Sequence, residues 1–396
     1  MEIASSFSTT VNTVEALKDA YAVLVEKLGS APTWMTVHGT YHHAGETVTA
    51  TLQALAPGVP FQGGSSCLGV MTEVGFHSEE GVGLGILGIR DPEGVYGLGC
   101  AELTLDSRES GREAIKRALQ NAGKNTPPRV VWITCAPGDE EAILAGIEDG
   151  LAGAHVPIIG GSSADNTVEG KWYQLTNGQV LRHGVVVTAM YPSKPIRYAF
   201  DSSYTPTAHT GIITKASGRT VYKIDHRPAA EVYNEWTNGV IAEYMDGGNI
   251  LAPTTLYPLG RAAMWTRGET LYQLSHPEAV LENRALSLFT KVEVGEEIVL
   301  MESSAQDLVQ RVDRVTSKAL AGIPAPDQQV AGALVIYCAG CMLAVTDRMQ
   351  EVAKQFCEAL AGQPFLGLFT FGEQGRALLG ENCHANLMMS IIVFEK

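Results

Sequence analysis

Two segments of the chain carry the same four residues, Gly-Gly-Ser-Ser, once at Gly63–Ser66 and again at Gly160–Ser163. At the end of a strand such a loop offers successive backbone N–H groups and small hydroxyls to an anion or polar ligand, with no bulky side chain in the way. The candidate ligand-binding residues are therefore Gly64, Ser65, Ser66 and Cys67 in the first copy, and Gly161, Ser162, Ser163 and Asp165 in the second. The plainer alternative is that the paired glycines only permit a tight turn. Neither copy ends in Lys followed by Ser or Thr, so the spacing is not that of a Walker loop and argues against nucleotide hydrolysis. A nucleophile elbow needs Gly-x-Ser-x-Gly, but Cys67 and Ala164 take the final position, which argues against acyl hydrolysis by Ser65 or Ser162.

Cys338 and Cys341 form a Cys-x-x-Cys pair at the end of a β-rich run. A thiol there can acquire a lowered pKa, which keeps a thiol-dependent enzyme open as an alternative function. No second pair completes a four-cysteine zinc site, and two small buried thiols are the plainer reading. His42 and His43 are adjacent, so on a strand they point to opposite faces, and a solvated loop is expected. Glu79, Glu80, Asp139, Glu140 and Glu141 read as exposed faces or as charge at a helix N-terminus.

The loops belong to a larger repeat. VPFQGGSS from Val59 returns as VPIIGGSS from Val156, and a looser relative, QPFLGLFTFGEQG, begins at Gln363. Ahead of each copy lies a β-rich run, TWMTVHGTY from Thr33, PRVVWITC from Pro128 and GALVIYC from Gly332. Helical spacing comes next, clearest in Ile143, Ile147 and Leu151, and in Met349, Val352, Ala353, Phe356 and Leu360. After each Gly-containing loop comes another run of β-formers, from Gly81, Leu181 and Asn386. Further helices are expected at Val14–Leu28 and Glu109–Ala122. The fold class is α/β, with repeated strand-helix-strand units, mixed sheets and two lobes. A Pro-, Thr- and Gly-rich stretch, Ser202 to Arg219, separates the second unit from the rest of the chain, and the domain boundary is placed at 222/223, giving domains 1–222 and 223–396.

At 396 residues, two domains or one two-lobed unit are expected. With 45% apolar and 18% charged residues the chain has ordinary globular composition. Forty-three acidic against 28 basic side chains give a formal charge of -15, which repels phosphate backbones and anionic lipid, so neither nucleic acid nor membrane is an expected partner. The N-terminal residues lack a basic segment followed by an apolar one, and no stretch is long and apolar enough to span a bilayer. Seven cysteines, mostly within or beside apolar runs, suit free thiols in a reducing compartment, and the expected localisation is cytoplasmic.

Taken in order, these segments resemble the FIST family of sensory domains over most of the chain. GGSSCLG and PIIGGSSADN, with TNGQVLRHGVVV after it, resemble FIST-N signatures, while YKIDHRPAAEVYNEW, ALVIYCAGC and Phe371-Gly372-Glu373 resemble FIST-C elements. Gly64 stands where the family has Cys, and Cys341 where an Arg commonly follows Cys-Ala-Gly, which weakens the inference of a carboxylate ligand clamped by that Arg. The resemblance implies a sensor and not an enzyme, with Cys338 and Glu373 as further ligand-binding candidates. Such a sensor binds a small molecule and regulates a separate partner, a sensor histidine kinase or a cyclic-dinucleotide enzyme. The first candidate ligand implied is haem b sensing nitric oxide, and the alternative is an amino acid or other small metabolite. Haem would be dissociable, since no Cys-x-x-Cys-His is present, with His276 or His384 as candidate axial ligands and His183 and His226 behind them.

Overall fold

Alternation of β-rich and amphipathic segments builds one unit three times in this computed structural model, which describes residues 1–266, 269–376 and 380–396. The first unit runs β1 (Glu2–Ser8), α1 (Thr13–Leu28), β2 (Trp34–Gly39), α2 (Gly45–Leu55), β3 (Phe61–Ser65), a hairpin β4 (Val70–Thr72) and β5 (Gly75–His77), and β6 (Leu84–Arg90). The second repeats the order as β7 (Val95–Glu102), α3 (Ser107–Ala122), β8 (Val130–Cys135), α4 (Glu140–Gly150), β9 (Ile158–Ser162), the hairpin β10 (Gln174–Thr176) and β11 (Gln179–Leu181), and β12 (Gly184–Tyr191).

The third unit opens with β13 (Ile196–Asp201) and is then interrupted by an inserted sheet. The insertion comprises β14 (Thr205–Ser217), β15 (Thr220–Ile224), β16 (Arg227–Pro228), α5 (Ala229–Trp236), β17 (Gly248–Asn249), α6 (Leu251–Thr254), β18 (Leu259–Thr266), β19 (Glu269–Ser275), β20 (Pro277–Val280), β21 (Leu286–Leu288) and β22 (Glu297–Glu302). The unit resumes with α7 (Ala305–Ala319), α8 (Pro326–Gln329), β23 (Val330–Cys338), α9 (Ala339–Ala344), α10 (Met349–Ala359), β24 (Phe365–Thr370), the hairpin β25 (Glu373–Arg376) and β26 (Asn382–Ala385), and β27 (Met389–Glu395). The stretch from Ser202 to Arg219 thus contains the 13-residue strand β14, which carries the chain out of the third unit into the insertion.

Helix ends are set by local chemistry. The Asn12 side chain accepts from the N–H groups of Val14 and Glu15 to start α1, and Gly29 in the left-handed region ends it. Asp106 and Gly123 do the same for α3, and α7 begins with a Ser304–Asp307 capping box.

Within each unit the two central strands are parallel, β2 with β3, β8 with β9, and β23 with β24. The closing strands β6, β12 and β27 pair antiparallel with β2, β8 and β23, and the opening strands β1, β7 and β13 pair antiparallel outside them. This is the mixed α/β architecture the repeat predicts. No unit completes its own sheet, because each hairpin is donated to a neighbour. The hairpin β4–β5 pairs with β24, β10–β11 with β3, and β25–β26 with β9. The donation is cyclic, and it closes the three units around a pseudo-threefold axis.

The inner faces of the three sheets meet at that axis in one apolar core, including Trp34 and Leu87 of the first unit, Trp132 and Met190 of the second, and Ile336 and Phe394 of the third. Truncating either fully buried indole would leave a void and cost roughly 3–5 kcal/mol. The outer faces are covered by each unit's own helices, as in the packing of Leu17, Leu24 and Leu52 on Met35 and Val37. The insertion has a separate core around Ile213, Tyr233 and Leu286. Among the described residues no helix is long and apolar enough to cross a membrane.

Candidate functional site

The three Gly-containing strands end at the axis, and their loops are tied to one another in a ring. Ala164 N–H donates to Ser65 O at 3.0 Å, Phe371 N–H to Ser162 O at 3.1 Å, and Cys67 N–H to Phe369 O at 3.0 Å. The side chains are mostly consumed in the same closure. Ser65 Oγ accepts from Tyr173 N–H, and Ser66 Oγ donates to Gly69 O while accepting from Phe369 N–H. Asp165, fully buried, accepts from the N–H groups of Thr167, Glu169 and Lys171 and folds its own loop. Burial first, then the Asp165 charge, pushes the Cys67 thiol up to about 12. Gly64 and Gly161 allow close approach: a Cβ would meet Ser163 Oγ at 2.7 Å in the first case and Thr370 Cγ2 at 2.4 Å in the second. The loops do converge, but the gap bordered by His38, Ser65, Ser163 and Thr370 has no room for a water molecule. Ser163 Oγ has no partner there among the described residues.

A cavity of about 610 Å³ lies off the axis, at the carboxyl ends of β8, β23 and β24. That is the end at which sheets of this kind bind ligands. Its walls come from three places: Pro137, Glu140 and Trp172 of the second unit, Cys338, Ala344 and Phe371 of the third, and Arg219, Ala252, His276 and Phe289 of the insertion. Trp172 and Phe371 meet edge to face at 6.0 Å, so the wall is largely aromatic and aliphatic with a few polar groups. Of the residues singled out from the sequence, Cys338 and His276 line this cavity, while Ser162 stands directly behind Glu140.

Glu140 is the polar centre of the wall. It was read as an exposed face or as charge at a helix N-terminus; it does open α4, but it is buried. Its carboxylate accepts from Ser162 Oγ at 2.8 Å, Arg219 Nη2 at 2.7 Å and Gly138 N–H at 3.0 Å. Burial works to raise its pKa, but His384 and the Arg219 guanidinium overcome that and hold it at about 2. Arg219 also bonds Glu141 at 2.8 Å, and Glu141 accepts from Lys291 N–H at 2.7 Å. These bonds fasten the insertion to the second unit. Arg219 Nε is buried without a partner among the described residues.

The histidines divide. His276 Nε2 donates to Leu251 O at 3.0 Å, and burial lowers the ring's pKa to about 4, so it is neutral at pH 7. His384 is buried beside the cavity, its Nδ1 accepting from Gln374 at 3.3 Å and its Nε2 donating to Phe289 O at 3.2 Å. His183 is exposed, and His226 is exposed with its backbone in the left-handed region at φ +65. His42 is exposed as expected, but His43 is buried and bonds Thr13. Glu373 is buried and accepts from Thr370 Oγ1 at 3.1 Å and Met388 N–H at 3.0 Å, and burial raises its pKa well above the carboxylate range. Among the described residues no three His, Cys, Asp or Glu side chains are grouped to hold a metal ion.

The family model of the FIST N domain matches residues 33–227, and that of the FIST C domain matches residues 229–376. The chain belongs to the FIST family. An uncharacterised protein of Methanocaldococcus jannaschii is 32% identical over 89 residues, 22% of this chain, and the match spans only 17% of that protein. The cyanuric acid hydrolase of A. caulinodans aligns along all of both chains at 10% identity and a TM-score of 0.39, too distant to carry an argument. FIST domains are known as small-ligand sensors in signalling proteins.

In this FIST protein the cavity is built by residues of both family domains, with Glu140 and Trp172 from FIST N and Cys338 and Phe371 from FIST C. Sequence reasoning missed Arg219, Trp172 and Phe289, and read Glu140 as solvent-facing. The one available signal was the acidic pair Glu140-Glu141 a short loop beyond the end of β8. Behind Cys338 lies a second feature missed in the sequence. Arg311 of α7 is 2% exposed and donates to Cys341 Sγ at 3.3 Å and Leu387 O at 3.1 Å. Burial alone would raise the Cys341 pKa, but a hydrogen bond from Cys338 and the Arg311 charge bring it to about 6.

Proposed function

We propose that this FIST protein is a receptor for a small amphipathic metabolite, which it binds in the 610 Å³ cavity. The bound state is passed to a separate partner, a sensor histidine kinase or a cyclic-dinucleotide enzyme. The observation that carries this reading is that the second unit, the third unit and the insertion share one cavity. A guest touching all three favours one arrangement of the insertion against the ring, and that differential affinity is the signal. The apolar body would lie on Trp172, Phe289 and Phe371, with its polar end toward Arg219 and His276.

Haem b suits this wall less well than such a metabolite. His384 uses both ring nitrogens on protein partners, and His276 would have to ligate through Nδ1 or release Leu251. Propionates would face Glu140 and Glu278, and Arg219 is already paired with two carboxylates. A catalytic reading through Ser162 is disfavoured because its hydroxyl partner, Glu140, is held at about 2 and is a weak base.

The test is native mass spectrometry and an absorption spectrum on freshly purified protein, followed by a metabolite screen read by thermal shift and Trp172 fluorescence. Ala344→Trp, at the exposed mouth, is expected to abolish binding while leaving unfolding unchanged. A Soret band responding to nitric oxide would replace the metabolite by haem. No ligand retained on purification and none found in the screen would end the receptor reading.

A further inference from the structure

Arg311 is an arginine buried in the third unit without a carboxylate partner among the described residues. A buried guanidinium is costly unless an anion compensates it. Its Nη1 points at Cys341 Sγ, its plane lies 3.9 Å over the Tyr337 ring, and its Nε and Nη2 have no acceptor among the described residues. Glu373, the nearby acid, is bonded to Thr370 and Met388 instead. The group facing Arg311 is therefore the Cys341 sulfur, which Tyr204 Oη approaches at 3.6 Å and which lies 3.8 Å from Leu387 O. Cys341 itself is sealed from solvent, whereas Cys338, three residues earlier, opens on the cavity.

We propose that Cys338 and Cys341 form a two-electron thiol–disulfide centre, with Cys338 as the cavity-facing thiol and Cys341 as the resolving thiolate held by Arg311, and that its oxidant is a low-molecular-weight disulfide. Cys338 passes its proton to the Cys341 thiolate and attacks one sulfur of RSSR; the S–S bond breaks, RS stays on Cys338, and RS⁻ leaves and takes the proton from Cys341. Cys341, again a thiolate beside Arg311, attacks the Cys338 sulfur and expels the second RS⁻. Two electrons leave the cysteine pair and reduce RSSR to RSH and RS⁻. Oxidation removes the anion that compensates Arg311, so the redox state of the pair alters the wall of the cavity. This centre does not require the metabolite reading: the thiol chemistry and the ligand binding are measured separately and fail separately.

The probe is bis(2-hydroxyethyl) disulfide on the reduced full-length chain, followed by alkylation and peptide mapping. The expected product in the wild type is the 338–341 disulfide, while Cys341→Ser stops at a mixed disulfide on Cys338. Arg311 is a positioning residue, so Arg311→Met is expected to slow disulfide closure about tenfold at pH 7 and to recover at higher pH, and Arg311→Lys to retain most of the rate. Three results overturn the proposal: Cys338 stays reduced while the partly exposed Cys100 and Cys357 react, the mixed disulfide on Cys338 never closes in the wild type, or the pH profile is unchanged in Arg311→Met. Should Arg311→Met fail to fold, Arg311→Lys and the isosteric Cys341→Ser decide the matter.

Discussion

Glu140 and Arg219 meet across the seam between the second unit and the insertion, and the pair is largely out of water. Removing the cation leaves a buried carboxylate uncompensated, so Arg219→Met is expected to cost roughly 3 kcal/mol, measured by urea unfolding. The pH dependence has a definite sign. Glu140, facing Arg219, Glu141, His384 and Ser162, is held at about 2, below its ordinary value of 4.5. It therefore binds its proton more weakly when folded, and its contribution to stability is complete above pH 4.5 and is lost as the pH falls toward 2. The stability gap between wild type and Glu140→Gln should be widest at neutral pH and close over that interval. A gap independent of pH would show that the carboxylate is not held by charge. Legibility at this scale was low, because residues 140, 219 and 311 carry no local mark of having a distant partner. Cys338 was legible because its motif is local.

Among elements, the repeated glycine facing the parallel partner strand allows a strict comparison inside one molecule. A Cβ at Gly63 would lie 1.7 Å from Val37 O and one at Gly160 1.9 Å from Ile133 O, both rigid backbone atoms. At the equivalent Gly367 it would meet the Met71 Cε at 2.8 Å, the end of a flexible side chain. Gly63→Ala and Gly160→Ala are expected to cost roughly 4 kcal/mol each, and Gly367→Ala about 1–2 kcal/mol. Equal costs in denaturant unfolding would contradict the register. The strands and helices were largely readable from periodicity: Ile143 and Ile147 lie on the buried face of α4, and Met349, Val352 and Phe356 on that of α10. The hairpins were not, since strands of three or four residues such as β5 and β11 have no periodicity to read, and their pairing is with another unit.

For the molecule as a whole, the insertion enters and leaves at one point. Thr205 and Glu302 are paired across β14 and β22, and the hydroxyls of Ser203 and Ser303 lie 3.3 Å apart. Replacing residues 204–302 by a short Gly-Ser linker is expected to leave the three-unit ring folded by circular dichroism, with lower stability from the lost packing of Tyr204 and Met301 and with no ligand binding. A chain that fails to fold would show that the ring is not autonomous.

Three copies of one unit, their order, the α/β class and the family membership were determined by the sequence alone, because periodicity, turn glycines and capping residues act over a few neighbouring positions. Only the tertiary structure decided that the matching loops bond to one another at the axis, that the open cavity lies beside them, that Arg219 lines it and that Arg311 is buried behind its wall. Burial and charge compensation depend on chain segments far apart in sequence, and only folding sets the distances between them.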